Sequence, residues 1–260
     1  MGTDRNFILG GVELRPQDVS AIILKELRAA AEARLGGPVD RAVISVPAYF
    51  NEIQRRATRE AGEIAGLRVE RLVSEPTAAA LAFGLERLNT EDFILVYDLG
   101  GGTFDVSVLE LFEGVFNVRA TSGDSRLGGD DFDQRLVDWM VKEARIPPGE
   151  LTQQSVAVLR RAAEGAKIEL SRREVVEVAI DMLPVAGDRF RSLGLQLERA
   201  RFEALTADFI ERTGACLKRA LAGARIPREK VGEVILVGGS TRMPMVKAYL
   251  TRFFEKPPRD

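Results

Sequence analysis

The sequence contains no histidine. That removes Ser–His triads, His zinc sites and His general bases together. Cysteine is nearly absent as well: Cys216 stands alone, so no disulfide can form within the chain, which suits a reducing compartment. Long apolar runs are lacking, and none approaches the roughly eighteen residues of a membrane span. The start, MGTDRNFILGG, has no basic stretch leading into an apolar one, so it does not read as a secretory signal. Asn6 breaks a myristoylation pattern after Met1-Gly2. Neither sign of charge dominates: the net charge is −2 and the pI about 5.6. A general affinity for nucleic acid or for an anionic membrane is therefore not expected. The expectation is a cytoplasmic protein with no nucleic-acid or membrane partner.

What is present is a globular composition. Of 260 residues, 45% are apolar and 29% charged, enough for one large or two moderate domains with a real core. Polar chemistry must rest on carboxylates, Lys and Arg, hydroxyls and the backbone.

Periodicity predicts a helix from Pro16 to Arg34, ended by Gly36-Gly37-Pro38. A short apolar strand at 42–46 stops at Pro47, and Asn51 caps a helix running to Gly66. A strand at 69–73 and a helix from Pro76 follow. Then the pattern changes to three strands in a meander, at 93–98, 104–111 and 115–120. Helices are predicted at 132–144, 151–171, 200–221 and 243–254, with a hairpin at 174–180 and 190–197 and a strand at 233–237. RAVISVPAYFNEIQRRA, from Arg41, and GEVILVGGSTRMPMVKAYL, from Gly232, share one plan: buried strand, tight turn, amphipathic helix. Two distant copies do not make a solenoid. They suggest two related α/β units, the first without the meander of the second.

Four constellations carry chemistry. In VYDLGGGTFDVSVL, Gly100, Gly101 and Gly102 lie between two strands and between Asp98 and Asp105. No Lys and no following helix are present, so this is not a Walker A loop, and Asp105 rules out G-x-G-x-x-G. A glycine turn can still aim several N–H groups at one anion, with Thr103 adding a hydroxyl and Asp98 holding a metal-bound water. The ordinary alternative is a flexible hairpin with two solvated aspartates. The second constellation is Gly238-Gly239-Ser240-Thr241-Arg242, at the end of a buried strand, where α/β sheets bind ligands. Arg242 can stack on a purine; an ordinary strand–helix turn is the alternative. Third, Glu164, Lys167 and Ser171 share one helix face, able to bond a ribose and an adenine edge or simply to be solvated. Fourth, Glu75 in SEPTAAA lies between strand and helix, where the helix dipole alone favours a carboxylate.

Taken together, VPAYFNEIQRRATREAGEIAGL, SEPTAAALAFGL, DLGGGTFDVSVL, GDSRLGGDDFDQR, AKIELS and VILVGGSTRMP resemble signatures of the Hsp70 chaperone family. Its bacterial cytoplasmic branch is nearest, because Ile168 stands where animal cytosolic members carry Arg. The resemblance implies an actin-like ATPase fold, an α/β architecture of ribonuclease H-like units, with ATP or ADP and Mg²⁺ as cofactors. It implies that Gly100, Gly101, Gly102 and Thr103 hold phosphates and that Asp98 and Glu75 reach Mg²⁺ through water. It implies a catalytic role for Asp98, Glu75, Asp105 and Thr103, and a place for Gly129 near ribose and phosphates. Glu164, Lys167 and Ser171 would contact adenosine, while Gly238, Gly239, Ser240 and Arg242 would close the base pocket. Pro47 and Arg55 resemble positions relaying nucleotide state to a peptide-binding domain.

Family members also carry a first Asp-Leu-Gly-Thr loop and a catalytic Lys, which nothing here matches. The expectation is a partial ATPase domain: residues 1–92 as the remainder of a truncated first lobe, 93–130 and 200–260 as a nearly complete second lobe, and 131–199 as its α+β insertion. Unfolded peptides would be handled by a domain outside this sequence, helped by a J-domain co-chaperone and a nucleotide exchange factor. Phosphoryl transfer needs several positioned donors, so weak ATP binding and negligible hydrolysis are expected of these residues alone. An orphaned half-sheet exposes strand edges, so self-association is expected too. An actin-like filament subunit, a kinase of the same superfamily and a partner-binding fragment without nucleotide are the alternatives.

Overall fold

A computed structural model describes residues 1–3, 5–84, 92–187 and 189–259. Leu85, the last residue of SEPTAAALAFGL, lies outside the described residues. The chain is mixed α/β and divides into two compact units, Met1–Arg87 and Leu88–Asp260.

The first unit opens with a hairpin, β1 (Phe7–Leu9) and β2 (Val12–Leu14). Gly10 and Gly11 turn it with φ of 58° and 80°, the doubly left-handed geometry of a two-residue hairpin turn. The sequence reading placed no element there. The signal was present, as Gly-Gly between two apolar triplets, but each strand is too short to show alternation. Next come α1 (Pro16–Leu35), β3 (Arg41–Val46), α2 (Glu52–Ile64), β4 (Arg68–Ser74) and α3 (Glu75–Gly84). Asn51 caps α2 by accepting from Gln54 N, and Asn51 N donates in return to Gln54 Oε1 at 3.0 Å. β3 and β4 pair in parallel, as expected for strands joined by a helix. Ala21 of α1 packs with Ala65 and Leu67, just beyond α2, in a small core.

The second unit holds the larger core. β5 (Asp92–Leu99), β6 (Phe104–Phe112) and β7 (Val115–Asp124) form the antiparallel meander. β10 (Val231–Val237) adds to β5 in parallel, giving the order β10-β5-β6-β7. Between them run α4 (Gly129–Glu143), α5 (Gln153–Leu170), the hairpin β8 (Val175–Val185) with β9 (Arg189–Glu198), and α6 (Arg199–Ala224). α7 (Pro244–Phe254) closes the chain. α6 packs on β6 and β7, while α5 packs on β8 and against α4. Leu95, Tyr97 and Leu99, spaced two apart, put one face of β5 into the core beside Phe104 and Leu217. Both stretches matched in the sequence fold as strand, turn and helix, β3 to α2 and β10 to α7. β10 is a buried strand as expected, but β3 is not, since Val46 alone of its residues is buried and its other side chains alternate between exposed and half-buried.

One buried polar link crosses this core. Tyr97 OH donates to Thr213 Oγ1 at 2.7 Å, and Thr213 donates onward to Ile210 O at 2.7 Å. Burial pushes the Tyr97 phenol far above its usual range, so it stays neutral and donating. Tyr97→Phe should cost about 0.5–1.5 kcal/mol, one net hydrogen bond. The check is a lower urea midpoint with an unchanged slope.

Candidate functional site

The site is built where β5 ends. Asp98 and Asp105 sit directly opposite one another across β5 and β6. Both are half-buried, and burial raises both carboxyl pKa values above the usual range. For Asp105 the charge of Asp98 raises it further. Opposite Asp105 on β7 stands Gly123. A Cβ there would fall 2.5 Å from Asp105 Oδ1 and 2.6 Å from Phe104 O, so glycine makes room for the carboxylate to lie across the sheet.

Between the two aspartates the chain turns through the three glycines. Gly100 N donates to Thr103 O at 3.0 Å and closes the turn. The first amides of α4, which have no partner inside their helix, reach the loop's carbonyls. Gly129 N donates to Gly100 O at 2.9 Å and Asp130 N to Gly101 O at 2.7 Å. Ser240 Oγ also donates to Gly100 O, at 3.1 Å. With its carbonyls held this way, the loop leaves the N–H groups of Gly101, Gly102 and Thr103 without an acceptor among the described residues.

The glycines on the clamp and on the loop answer to different demands. A Cβ on Gly128 would lie 2.5 Å from Gly102 N and overlap the Gly101 carbonyl. A Cβ on Gly129 would lie 2.6 Å from Ser240 Oγ and 3.0 Å from Lys167 Nζ. Gly238 has φ 88° and abuts the Leu99 carbonyl. Within the loop itself nothing lies within 4 Å of a Cβ on Gly102, and on Gly101 only Asp130 Oδ1 does, at 3.9 Å. Gly100, Gly101 and Gly102 also avoid positive φ. Among the described residues nothing therefore excludes a side chain from Gly101 or Gly102.

Beside the loop lies a cavity of about 930 Å³. Gly101, Glu164, Lys167, Ser171, Gly238, Gly239, Ser240 and Arg242 all line it. Thus the face of α5, the turn after β10 and the glycine loop open onto one space. Thr241, from the same turn, lines it as well. Asp130, Asp133, Ile168, Arg172, Met243 and Lys247 line it too, and the sequence reading named none of these six as site residues. Ile168 and Arg172 had a signal, since they continue the α5 face at four-residue spacing. Asp133 had none, because its partner Lys167 is 34 positions away.

Lys167 Nζ donates to Asp133 Oδ2 at 2.9 Å and to Gly129 O at 3.1 Å. Burial raises the Asp133 carboxyl pKa, and Lys167 pulls it back. Ser171 Oγ faces its own helix, donating to Lys167 O at 3.5 Å. The remaining named residues belong to the first unit. Glu75 opens α3, Pro47 O accepts from Phe50 N in the turn after β3, and Arg55 Nε donates to Phe50 O at 3.0 Å. Among the described residues, no group of three or more His, Cys, Asp or Glu is arranged to hold a metal ion. None of the described helices is long and apolar enough to cross a membrane.

A family model described as "Hsp70 protein" matches residues 5–260. A protein named "Chaperone protein DnaK" from Thermotoga petrophila is 49% identical over 262 aligned residues, covering 99% of this chain and 44% of its own length. One of the same name from Thermosipho melanesiensis is 48% identical over 261, again covering 99% and 44%. The chain belongs to the Hsp70 family. It spans less than half the length of these relatives.

Proposed function

We propose that this chain is ATPase-domain sequence of a DnaK-type chaperone and that the second unit binds ADP or ATP with Mg²⁺. The observation that carries the reading is the single cavity onto which the glycine loop, one face of α5 and the turn after β10 all open. Its volume lies within the range of small-ligand pockets. The unsatisfied amides of Gly101, Gly102 and Thr103 suit phosphate oxygens, which accept hydrogen bonds and carry negative charge. The open space over Gly101 and Gly102 leaves room for them. Glu164, Lys167 and Ser171 would then meet the ribose and base edge, with Arg242 against the purine and Gly129 beside the ribose.

The residues present also fit a cation held through water. Mg²⁺ keeps several waters and needs only one or two carboxylates. Asp98 and Asp105 supply a charged pair beside the loop, and by family resemblance Glu75 would also reach Mg²⁺ through water. Bound Mg²⁺ would neutralise phosphate charge. Asp98 would orient its water, Asp105 would support the developing charge, and Thr103 would hold the terminal phosphate.

The finer architecture belongs to the same proposal. It is an actin-like fold with a truncated first unit at 1–92, a second unit at 93–130 and 200–260, and its insertion at 131–199. In a longer protein the site would drive the binding and release of unfolded peptides in the cytoplasm. A J-domain co-chaperone and an exchange factor would act on it, and Pro47 and Arg55 would relay its state. The isolated chain is also expected to self-associate.

Calorimetric titration of ADP with Mg²⁺ into the 260-residue chain tests the reading. Saturable binding is expected, weakened about 10- to 100-fold by Arg242→Ala, since a desolvated cation–π contact and its charge contribute about 2 kcal/mol. Hydrolysis of ATP by the same chain should be negligible. Absence of binding up to millimolar ADP sinks the proposal.

A further inference from the structure

We infer that Asp133 is a positioning residue: it fixes the Lys167 ammonium at the cavity wall, so that this cation reads the sugar hydroxyls of the bound nucleotide. The inference rests on the proposed nucleotide site and adds to it a residue that does not itself touch the ligand.

The geometry is that of a buried pair with one bond left to give. The Lys167 side chain is 11% exposed and that of Asp133 12%. Nζ lies 2.9 Å from each carboxylate oxygen but is aligned for a hydrogen bond with Oδ2 alone. Its second proton goes to Gly129 O at 3.1 Å. An ammonium has three donors. Asp133 and Gly129 are its acceptors among the described residues, so the third N–H remains for the cavity that Lys167 lines.

Asp133 cannot make that contact in place of Lys167. Its Oδ1 is buried beyond solvent reach, 2.9 Å from the Lys167 ammonium but not aligned with one of its N–H groups. A buried carboxylate–ammonium pair is costly to desolvate, and hydrophobic replacements of such pairs are often neutral or stabilising. Stability alone therefore gives a weak account of this pair. A positional account is stronger. A lysine stem has four rotatable bonds, and a free ammonium would spread over many positions. Asp133, one turn into α4, and Gly129, at its start, fix the ammonium between them. The same Gly129 donates its N–H to Gly100 O, so the lysine is registered directly to the glycine loop.

The test uses the whole chain and compares ADP with 2′-deoxy-ADP and 3′-deoxy-ADP by calorimetry. Wild type should prefer ADP over at least one deoxy analogue by about tenfold, one charge-assisted hydrogen bond. Asp133→Asn should bring that ratio to within about twofold of one, as Lys167→Met should. The double variant Asp133→Asn/Lys167→Met should match Lys167→Met alone. It also removes the stranded buried cation, so it keeps the comparison open if Asp133→Asn proves too unstable to titrate. An Asp133→Asn protein with a lower Tm but an unchanged ADP-to-deoxy ratio overturns the inference and leaves the nucleotide site standing. So does a double variant that binds ADP clearly more weakly than Lys167→Met alone, since Asp133 would then act without the lysine. A wild-type chain that does not bind ADP at all overturns both.

Discussion

Gly128→Ala and Gly102→Ala are expected to behave in opposite ways in a stability measurement and alike in a binding one. At Gly128 the new methyl would sit 2.5 Å from Gly102 N, and both neighbours are backbone. Backbone cannot turn aside as a flexible side chain can. α4 would have to withdraw from the loop, and the bonds from Gly129 N and Asp130 N would lengthen. Overpacking of this kind costs about 1–3 kcal/mol. At Gly102 the methyl meets nothing within 4 Å, and the backbone there is not left-handed. Stability should hold or rise by up to about 1 kcal/mol, because alanine restricts the unfolded chain. Yet in both variants ADP affinity should fall by about 10- to 100-fold, the loss of one or more hydrogen bonds to a charged group. Gly128→Ala would displace the amides, and Gly102→Ala would fill the space that phosphate needs. Urea unfolding beside ADP titration separates the two effects. Unchanged ADP affinity in Gly102→Ala would show that the open space over the loop is not where the phosphates lie.

This contrast also marks what was legible in the sequence. The meander was, because β5 and β6 are long, meet at three glycines and carry apolar residues at alternate positions, from Phe93 to Leu99 and from Phe104 to Val108. So was the face of α5, since a helix fixes which of its residues are neighbours. Glu164, Lys167 and Ser171 line one cavity as their spacing implied. What spacing cannot carry is contact between segments. The pairing of Asp133 with Lys167, the clamp of Gly128 on Gly101 and the fit of Gly123 under Asp105 all join positions far apart in the chain. A glycine in a sequence says only that a side chain is absent. Whether protein backbone or open space took its place needs coordinates: backbone at Gly128 and Gly238, open space at Gly102. The β1–β2 hairpin was missed for a different reason, as three-residue strands are shorter than the alternation that would identify them.

The aspartate pair should show stability and binding pulling apart. Asp98 and Asp105 face each other across β5 and β6, and burial raises both carboxyl pKa values. A carboxylate whose folded pKa is raised holds its proton more tightly folded than unfolded. Between the ordinary carboxylate pKa and the raised value, the folded state binds more protons, so stability falls as pH rises through that window. Above that window both groups are charged, and the fold carries the cost of burying them together with the repulsion of Asp98 on Asp105. Asp98→Asn or Asp105→Asn removes a charge while keeping the shape. Like charges directly opposite in a sheet destabilise by about 0.2–1 kcal/mol. Each variant should therefore gain roughly that much at pH 7, a Tm rise of about 1–4 °C for a chain of this size. The gain should vanish toward pH 3, where wild type is protonated as well. Nucleotide binding should move the other way. If the pair holds a hydrated Mg²⁺, either variant loses the Mg²⁺-dependent part of its ADP affinity, and wild type loses it as acid titrates the pair. The raised pKa values put that loss at a higher pH than ordinary carboxylates would give. Thermal melts at pH 3 and pH 7, with ADP titrations in Mg²⁺ and in EDTA, read both arms. An Asp98→Asn chain that is less stable at pH 7 and keeps its Mg²⁺ dependence would show that the carboxylates support the sheet, and the cation would have to be held elsewhere. The expected result is the reverse, with repulsion tolerated in the empty fold because a cation relieves it when nucleotide binds.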